Sequence, residues 1–244
     1  MWFDALVLVA GLAGGVIAAV AGFGIGSLLT PALASQVDAR LAVAAVAIPH
    51  IAGTAFRFWL LGGRFDWQVL RTFGVASAAG GLAGALMQDR TPTPALTVLF
   101  GLLLLFTAAA ELTGFGRRMR FTGVFAPVAG AASGVLGGLV GNQGGIRSAA
   151  LLGAHVSKDV FVGTATAVGL MVDVARVPVY IWRYREGIGA IGPWVAIAMA
   201  GVITGTLIGR QVLRWIPEPS FRRIVGVLLG LLGAAMVASG LEAQ

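Results

Sequence analysis

Residues 11–34 read GLAGGVIAAVAGFGIGSLLTPALA, and residues 130–153 read GAASGVLGGLVGNQGGIRSAALLG. Each stretch is apolar and is interrupted by a glycine cluster, at Gly22–Gly26 in the first and at Gly141–Gly145 in the second. The glycines at positions 11, 15, 22 and 26 recur 119 residues later, at positions 130, 134, 141 and 145. Two copies of one interrupted pattern predict a protein built from two related halves, each opening on a broken apolar segment.

The composition places these segments in a membrane. Of the 244 residues, 58% are hydrophobic and only 11% are charged, whereas a soluble domain carries about a quarter charged residues. Apolar runs of about 20 residues are long enough to span a bilayer as helices, and in lipid the backbone must satisfy its own hydrogen bonds. The 37 glycines suit membrane helices, where small residues allow close packing. We therefore predict an all-α integral membrane protein.

Each half contains about four hydrophobic segments. The first half has Ala5–Ala34, Ala39–Leu61, Trp67–Met87 and Ala95–Leu112, and the second has Phe121–Ala154, Val160–Trp182, Trp194–Leu213 and Phe221–Ser239. A polar loop is expected at Arg183–Gly189. We place the boundary in the arginine-bearing loop that ends at Arg120, which gives an N-terminal transmembrane repeat, residues 1–120, and a C-terminal one, residues 121–244.

Rarer residues repeat as well. Arg57 corresponds to Arg176 under the shift of 119 residues, and the pair Pro92 and Pro94 corresponds to Pro217 and Pro219 under a shift of 125 residues. A longer loop in the second half accounts for the difference. These matches support the duplication more strongly than the glycines do, because glycine is common in this chain.

The positive charges bear on topology. Three of the 17 Lys and Arg residues, namely Arg57, Arg147 and Arg176, lie within or next to apolar segments, which leaves 14. If every segment crosses, these divide seven against seven. If each broken segment is instead a re-entrant hairpin, they divide ten against four, which fits the excess of positive charge in cytoplasmic loops and produces an inverted repeat. The first arm, Ala5–Ala21, is nearly long enough to cross, which favours a discontinuous crossing helix. We favour the inverted repeat.

The two glycine clusters are the predicted binding elements. A helix broken inside the membrane exposes the free N–H groups and the positive end of its next segment, and both attract anions; matching breaks in two repeats are typical of transporter binding sites. The alternative is that the glycines only allow close packing. The predicted substrate-binding residues at the breaks are Gly22, Phe23, Gly24, Gly26 and Ser27, and Gly141, Asn142, Gln143, Gly144 and Gly145.

Three arginines complete the predicted site. Arg57 and Arg176 lie late in matching apolar segments, where charge is costly and usually functional, and a guanidinium can hold an oxyanion with two hydrogen bonds. The alternative is that both snorkel to the membrane interface. Arg147 directly follows the second break and either contacts the anion or reaches a loop.

Two further ionisable residues are candidates for ion coupling. Asp173 stands three residues before Arg176 on the same helix face, so it either neutralises that arginine or binds a coupling proton or cation. His50 either relays a proton or makes a hydrogen bond to a helix carbonyl.

The glycine series at 11, 15, 22, 24 and 26, with its echo at 130, 134, 137, 138, 141, 144 and 145, resembles the signature of the TauE/SafE sulfite exporter family, also called the toluene-sulfonate uptake permease family. The resemblance covers essentially the whole chain. It implies a multi-pass carrier in the bacterial inner membrane for small sulfur-containing anions such as sulfite, sulfonates or sulfoacetate, driven by an ion gradient. Such proteins often carry a run of glycines at each break, whereas this chain has GFGIG and GNQGG.

Other function classes fit less well. The net charge of +7 does not indicate nucleic acid, because the positive residues lie in loops between apolar segments. An intramembrane enzyme would need a paired nucleophile and base, and no such motif occurs. The absence of cysteine excludes thiolate metal sites, and we expect no cofactor. A passive channel stays open as an alternative, as does either a monomer or a homodimer.

Overall fold

The computed structural model describes residues 1–114, 123, 125–144, 146–147, 158–212 and 218–243. Gly145 of the second break, the arginines at 117, 118 and 120, and Pro217 lie outside these residues, so the boundary at residue 120 stays a prediction. Within the described residues all regular structure is helical. The helices are α1 Trp2–Ala21, α2 Ile25–Ala34, α3 Ala39–Leu60, α4 Trp67–Arg90, α5 Thr93–Thr113, α6 Phe125–Val140, α7 Lys158–Ala190, α8 Gly192–Val212 and α9 Glu218–Glu242.

Seven of the described helices, α1, α3, α4, α5, α7, α8 and α9, are long and apolar enough to cross a membrane. The helices α2 and α6 are shorter, at 10 and 16 residues. At 1.5 Å per residue, a ten-residue helix covers only about half of the hydrocarbon layer. The chain is therefore a multi-pass membrane protein in which α2 is too short to cross by itself.

Both predicted breaks coincide with helix ends. The first helix ends at Ala21, Gly22 adopts a left-handed conformation (φ 77°), and α2 begins at Ile25 after Gly24 (φ 134°). In the second half α6 ends at Val140, and Gly141 is also left-handed (φ 74°). Glycine adopts these angles without steric cost, and other residues rarely do. Glycine at these positions therefore lets the chain leave each helix.

The prediction of a polar loop at Arg183–Gly189 was wrong. Helix α7 continues through it to Ala190, with one non-helical residue, Tyr184 (φ −116°, ψ 16°), marking a kink. Arg and Glu are good helix formers, and Arg183 donates to the carbonyl of Leu86 at 3.0 Å and pairs with Asp89 at 2.9 Å. These contacts hold the end of α7 against the end of α4, so the polar residues form a helical end rather than a loop.

The first helix of each half packs against a helix of the other half. Helix α1 of the first half packs against α8 of the second, and α6 of the second packs against α4 of the first. A Cβ atom added to Gly15 would lie 2.4 Å from the Val202 carbonyl, and one added to Gly134 would lie 2.0 Å from the Ser77 carbonyl. These two contacts match under the shifts found in the sequence, because Gly134 lies 119 residues after Gly15 and Val202 lies 125 residues after Ser77. The α1–α8 and α4–α6 interfaces are therefore packed at equivalent positions.

Helices α3 and α7 run antiparallel where they meet. Leu41 at the start of α3 contacts Gly187 near the end of α7, whereas Asp66, beyond the end of α3, donates its backbone N–H to the Thr164 hydroxyl near the start of α7. The ring of Phe3, at the start of α1, lies 4.5 Å from that of Trp194 at the start of α8, while Leu41, shortly after the end of α2, contacts Gly187 near the end of α7. The start of α1 and the chain that follows α2 therefore both lie near the junction of α7 and α8.

Candidate functional site

The two breaks meet inside the protein. A Cβ atom added to Gly26 would lie 2.7 Å from the Gly141 carbonyl oxygen, and one added to Gly144 would lie 2.3 Å from Cβ of Phe23. Any larger residue at these positions would push the two breaks apart. The glycines therefore serve close packing as well as the breaks themselves, which joins the two alternatives left open by the sequence.

A small cavity lies where the breaks meet. Space for a water-sized sphere amounts to about 10 Å³, roughly the room of one water molecule. Most of the predicted site residues line it, together with His50; the lining is Phe23, Gly24, Gly26, Ser27, His50, Gly141, Asn142, Gln143, Gly144, Arg147 and Arg176. The structure thus brings residues from both halves around one point.

Unpaired donors dominate this lining. The side-chain nitrogens of Asn142 and Gln143, and both Nε and Nη1 of Arg147, are buried without a hydrogen-bond partner among the described residues. The amide oxygens are already engaged, because Asn142 Oδ1 accepts from the Gly144 N–H and Gln143 Oε1 accepts from the Ser77 hydroxyl, both at 3.3 Å. Buried donors are almost always satisfied, so this cluster is suited to an acceptor-rich ligand.

Arg147 is the most enclosed of the three arginines, at 1% exposed. Its Nη2 donates to the Gly22 carbonyl at 2.8 Å, which caps the end of α1 with a positive charge, the favourable sign at a helix C-terminus. A Cβ atom on Gly169 would lie 2.9 Å from Nη1, so this glycine of α7 makes room for the guanidinium. The guanidinium of Arg147 therefore lies at the cavity while it contacts the non-helical segment between α1 and α2.

A chain of buried polar contacts joins α3 to α7. His50 Nδ1 lies 2.6 Å from Asp173 Oδ2, and Arg176 Nη2 lies 2.9 Å from Asp173 Oδ1. Asp173 is completely buried. It neutralises Arg176 as one alternative predicted, but the partner of His50 is this carboxylate and not a helix carbonyl.

Arg176 also holds the end of α6. Its Nη1 donates to the Gly137 carbonyl, and the Tyr180 hydroxyl donates to the Gly138 carbonyl. These carbonyls belong to the last turn of α6, where carbonyls commonly lack helical partners; the Gly137 carbonyl also accepts from the Gly141 N–H at 3.0 Å. Tyr180 was not among the predicted site residues, although its position four residues after Arg176 places both side chains on one helix face.

Arg57 lies near the site but does not line the cavity. Its side chain is 4% exposed, and Nε donates to the Thr166 hydroxyl at 2.8 Å while Nη1 has no partner among the described residues. Both Arg57 and Arg176 are enclosed by protein, which is not the arrangement of side chains that snorkel to an interface. Gly22 likewise lies outside the cavity and takes part only through its carbonyl.

The site carries an excess of positive charge. Among the described residues, the fully enclosed ionic side chains are Arg57, Arg147, Arg176 and Asp173. Three guanidinium groups and one carboxylate leave two uncompensated positive charges while His50 is neutral. No three His, Asp or Glu side chains within the described ranges gather where they could hold a metal ion. The excess of positive charge suits an anionic ligand.

Comparison with known proteins gives one match. The profile of a family described as Sulfite exporter TauE/SafE matches residues 7–236, nearly the whole chain. The search of curated proteins found no significant match, and neither did the search of solved structures.

Proposed function

The chain belongs to the TauE/SafE sulfite exporter family, and from this premise we propose that it is a secondary carrier of small anions, most suited to sulfur oxyanions such as sulfite, sulfonates or sulfoacetate. The family consists of membrane transporters rather than enzymes. The anion would bind near the middle of the membrane, where the two helix breaks meet.

The observation that carries this proposal is the set of four buried nitrogens on Asn142, Gln143 and Arg147 that have no hydrogen-bond partner in the part of the chain that the structure describes. Leaving a buried donor unsatisfied costs about 1–3 kcal/mol for each group. An oxyanion has several acceptor lone pairs around one centre and would satisfy these donors together. Arg147 and the two amides would therefore be the principal ligands.

The remaining residues have supporting roles in this proposal. Arg176 is held by Asp173 and the end of α6, so it would position the second break and add positive charge rather than bind in a bidentate manner. Arg57 would add positive charge near the cavity without lining it. The glycines allow the breaks to approach, and Phe23 and Ser27 of the first break close the opposite wall. A bound dianion would compensate the two uncompensated charges, which are costly inside a membrane.

The proposed architecture is an inverted repeat with re-entrant broken segments. Three observations support it: α3 and α7 meet antiparallel, the start of α1 and the chain after α2 both lie near the α7–α8 junction, and Arg40 and Arg183 both contact the region where α4 ends, at Thr91 and at Leu86. Full crossing of every segment would separate these two arginines. The end with ten positive residues would face the cytoplasm of a bacterial inner membrane.

The size of the cavity favours a carrier over a passive channel. An anion such as sulfite is larger than the one water molecule that the cavity accommodates, so the breaks must separate to admit it. Because each break belongs to a different half, a relative movement of the halves would open the site to one side at a time. One chain supplies both breaks, so a monomer is sufficient and a homodimer is not required.

Counterflow of labelled sulfite in proteoliposomes tests the proposal, with unlabelled sulfonates and carboxylates as competitors. We expect saturable exchange that sulfonates compete for. Arg147→Gln removes a charge-assisted contact worth about 1.5–3 kcal/mol and should weaken apparent sulfite affinity by about 10- to 100-fold. Arg185→Gln is the matched control, because the Arg185 side chain is 77% exposed and should leave affinity unchanged.

Three outcomes would contradict the proposal in whole or in part. No exchange of sulfite or of any competing anion would remove the function. Saturable exchange with equal affinity in Arg147→Gln and in the wild type would keep the carrier and remove the assigned site. Flux of sulfite without counterflow would indicate the channel alternative.

A further inference from the structure

The orientation of His50 is fixed by its buried partner. Nδ1 of the ring lies 2.6 Å from Asp173 Oδ2, and a carboxylate paired with Arg176 accepts hydrogen bonds and donates none. Nδ1 therefore carries a proton in both charge states of the ring. In neutral His50, the other nitrogen, Nε2, must be the unprotonated one.

The Nε2 edge of the ring lies towards the cavity. His50 lines it, and Cδ2, the atom bonded to Nε2, is 4.0 Å from the position of a Cβ atom on Gly26, which also lines the cavity. The hydrogen bonds of His50 to described residues use only Nδ1, with Asp173 and, at 3.4 Å, with the Thr54 hydroxyl. Nε2 is therefore available to a ligand.

A neutral His50 is the wrong partner for an anion. Its Nε2 would present a lone pair to an oxyanion whose own oxygens also carry lone pairs, whereas Asn142, Gln143 and Arg147 all present donors. Contact between Nε2 and an anion oxygen requires a proton between them. That proton can sit on the ring or on the anion, but the bound complex contains it in either case.

The surrounding charges make protonation of His50 depend on whether an anion is bound. The groups that face His50 are Asp173 and Arg176 from α7 and Arg147 from beyond the second break, while Arg57 lies on its own helix. Without an anion, a protonated ring would add a third uncompensated positive charge to the two already present. A bound anion removes that repulsion, and by thermodynamic reciprocity a proton on His50 then strengthens anion binding by the same factor.

We propose that His50 is the site of a coupling proton, so that each anion is bound and carried together with one proton while Asp173 fixes the ring. This inference rests on the proposed anion carrier and adds its coupling ion and stoichiometry. It makes transport respond to a pH gradient in a way that an uncoupled anion carrier would not.

The test is accumulation of labelled methanesulfonate and of labelled sulfate in proteoliposomes, because both ions keep their charge between about pH 6 and 8. The membrane potential is held at zero with potassium and valinomycin, and the interior is one pH unit more alkaline than the medium. One proton per anion predicts that the inside-to-outside concentration ratio rises to about tenfold, because one pH unit is a tenfold difference in proton activity. If sulfite alone exchanges, the ratio of the sulfite dianion is followed instead, against protein-free vesicles.

His50→Gln should keep a ratio near one under the same gradient while counterflow persists at a lower rate. His155→Gln is the matched control, because it removes the only other histidine in the chain, and it should accumulate the anion like the wild type. A wild-type ratio near one together with saturable counterflow would overturn the inference and leave the proposed function standing. Tenfold accumulation in His50→Gln would assign the proton to another group. Absence of exchange for every anion would overturn both.

Discussion

Asp173 is the one acidic side chain among the described residues that is fully enclosed, and it serves two partners at once. It holds His50 and Arg176 within hydrogen-bonding distance. Among the residues that the structure describes, it is the only buried carboxylate beside three buried arginines. A buried ion pair contributes little net stability, but removing one partner leaves a buried charge without compensation. Asp173 therefore contributes to folding and to the proposed site together.

Asp173→Asn should lower stability by about 3–5 kcal/mol, because Arg176 is left buried without its counter-charge. The measurement is the thermal unfolding midpoint of the purified protein in detergent. Asp89→Asn is the matched control, because Asp89 also pairs with an arginine but its side chain is 41% exposed, and such pairs are worth about 1 kcal/mol or less. Equal losses in the two variants would contradict a special role for Asp173.

The residues that the proposed repeat would relate differ at the site. Arg147 corresponds to Leu28, Asn142 to Phe23, and Asp173 to Thr54. The polar groups of the cavity therefore come mainly from the second break, while the first break supplies an apolar wall. A repeat read as strictly symmetric would place the anion midway between the breaks, whereas the donors favour a position nearer the second.

At the scale of the helices, small residues determine the packing. The interface of α4 and α6 brings Gly134 against the Ser77 carbonyl and Gly84 against the Val135 carbonyl, each with too little room for a Cβ atom. Such contact is how helices associate in lipid, where there is no hydrophobic force between them. Glycine here stabilises a membrane helix pair although it would weaken a helix in water.

Gly134→Ala should destabilise the protein by about 1–3 kcal/mol, because the added methyl group would lie 2.0 Å from a backbone oxygen and overpacking costs about that much. Gly189→Ala is the matched control: its Cβ atom would meet nothing within 4 Å, and the better helix propensity of alanine should leave stability equal or slightly higher. Thermal unfolding in detergent compares the two. The same midpoint for both variants would show that the α4–α6 contact is not tight.

Helix ends carry the exposed tryptophans. Trp2 and Trp182 lie near one end of the molecule and Trp59 and Trp67 near the other, with exposed fractions between 64% and 75%. Tryptophan is enriched at both membrane–water interfaces. These four side chains mark the two interfaces between which the helix breaks meet.

At the scale of the whole molecule, the two possible topologies place the helix ends on different sides of the membrane. The exposed residue Ser35 follows α2, and Glu186 lies in the last turns of α7; the proposed re-entrant arrangement places both on one side of the membrane and Gly62 on the other. If every segment crossed, Gly62 and Glu186 would share a side and Ser35 would be opposite. Ser35 and Gly62 lie on opposite sides in both arrangements. The arrangements therefore differ in whether Glu186 shares the side of Ser35 or the side of Gly62.

Single cysteines at positions 35, 62 and 186 test this arrangement, and the natural chain has none to interfere. In intact cells, a membrane-impermeant maleimide should label Ser35→Cys and Glu186→Cys from outside and should leave Gly62→Cys unlabelled until the cells are opened. Labelling of Gly62→Cys together with Glu186→Cys, without Ser35→Cys, would establish full crossing and contradict the inverted repeat.

The sequence by itself determined the membrane class and the family, and its glycine clusters lie where α1 and α6 end. These depend on local causes: apolar length, the low charge content, and glycines whose left-handed conformation ends a helix. The sequence also indicated which residues would be drawn to one site, because breaks in matching positions of two halves point to a shared centre. It failed at Arg183–Gly189, where contacts with the end of α4 stabilise a helix that polarity alone argued against.

Only the tertiary structure decided which groups meet. His50 and Asp173 are separated by 123 residues and Arg147 and Gly22 by 125 residues, and no local pattern specifies contacts at that distance. The division of roles among the arginines also depends on packing, since Arg176 is held by a carboxylate and by the Gly137 carbonyl, while two nitrogens of Arg147 have no partner among the described residues. The physical reason is that helix formation is decided by neighbours along the chain, whereas a binding site is decided by which helix faces pack together.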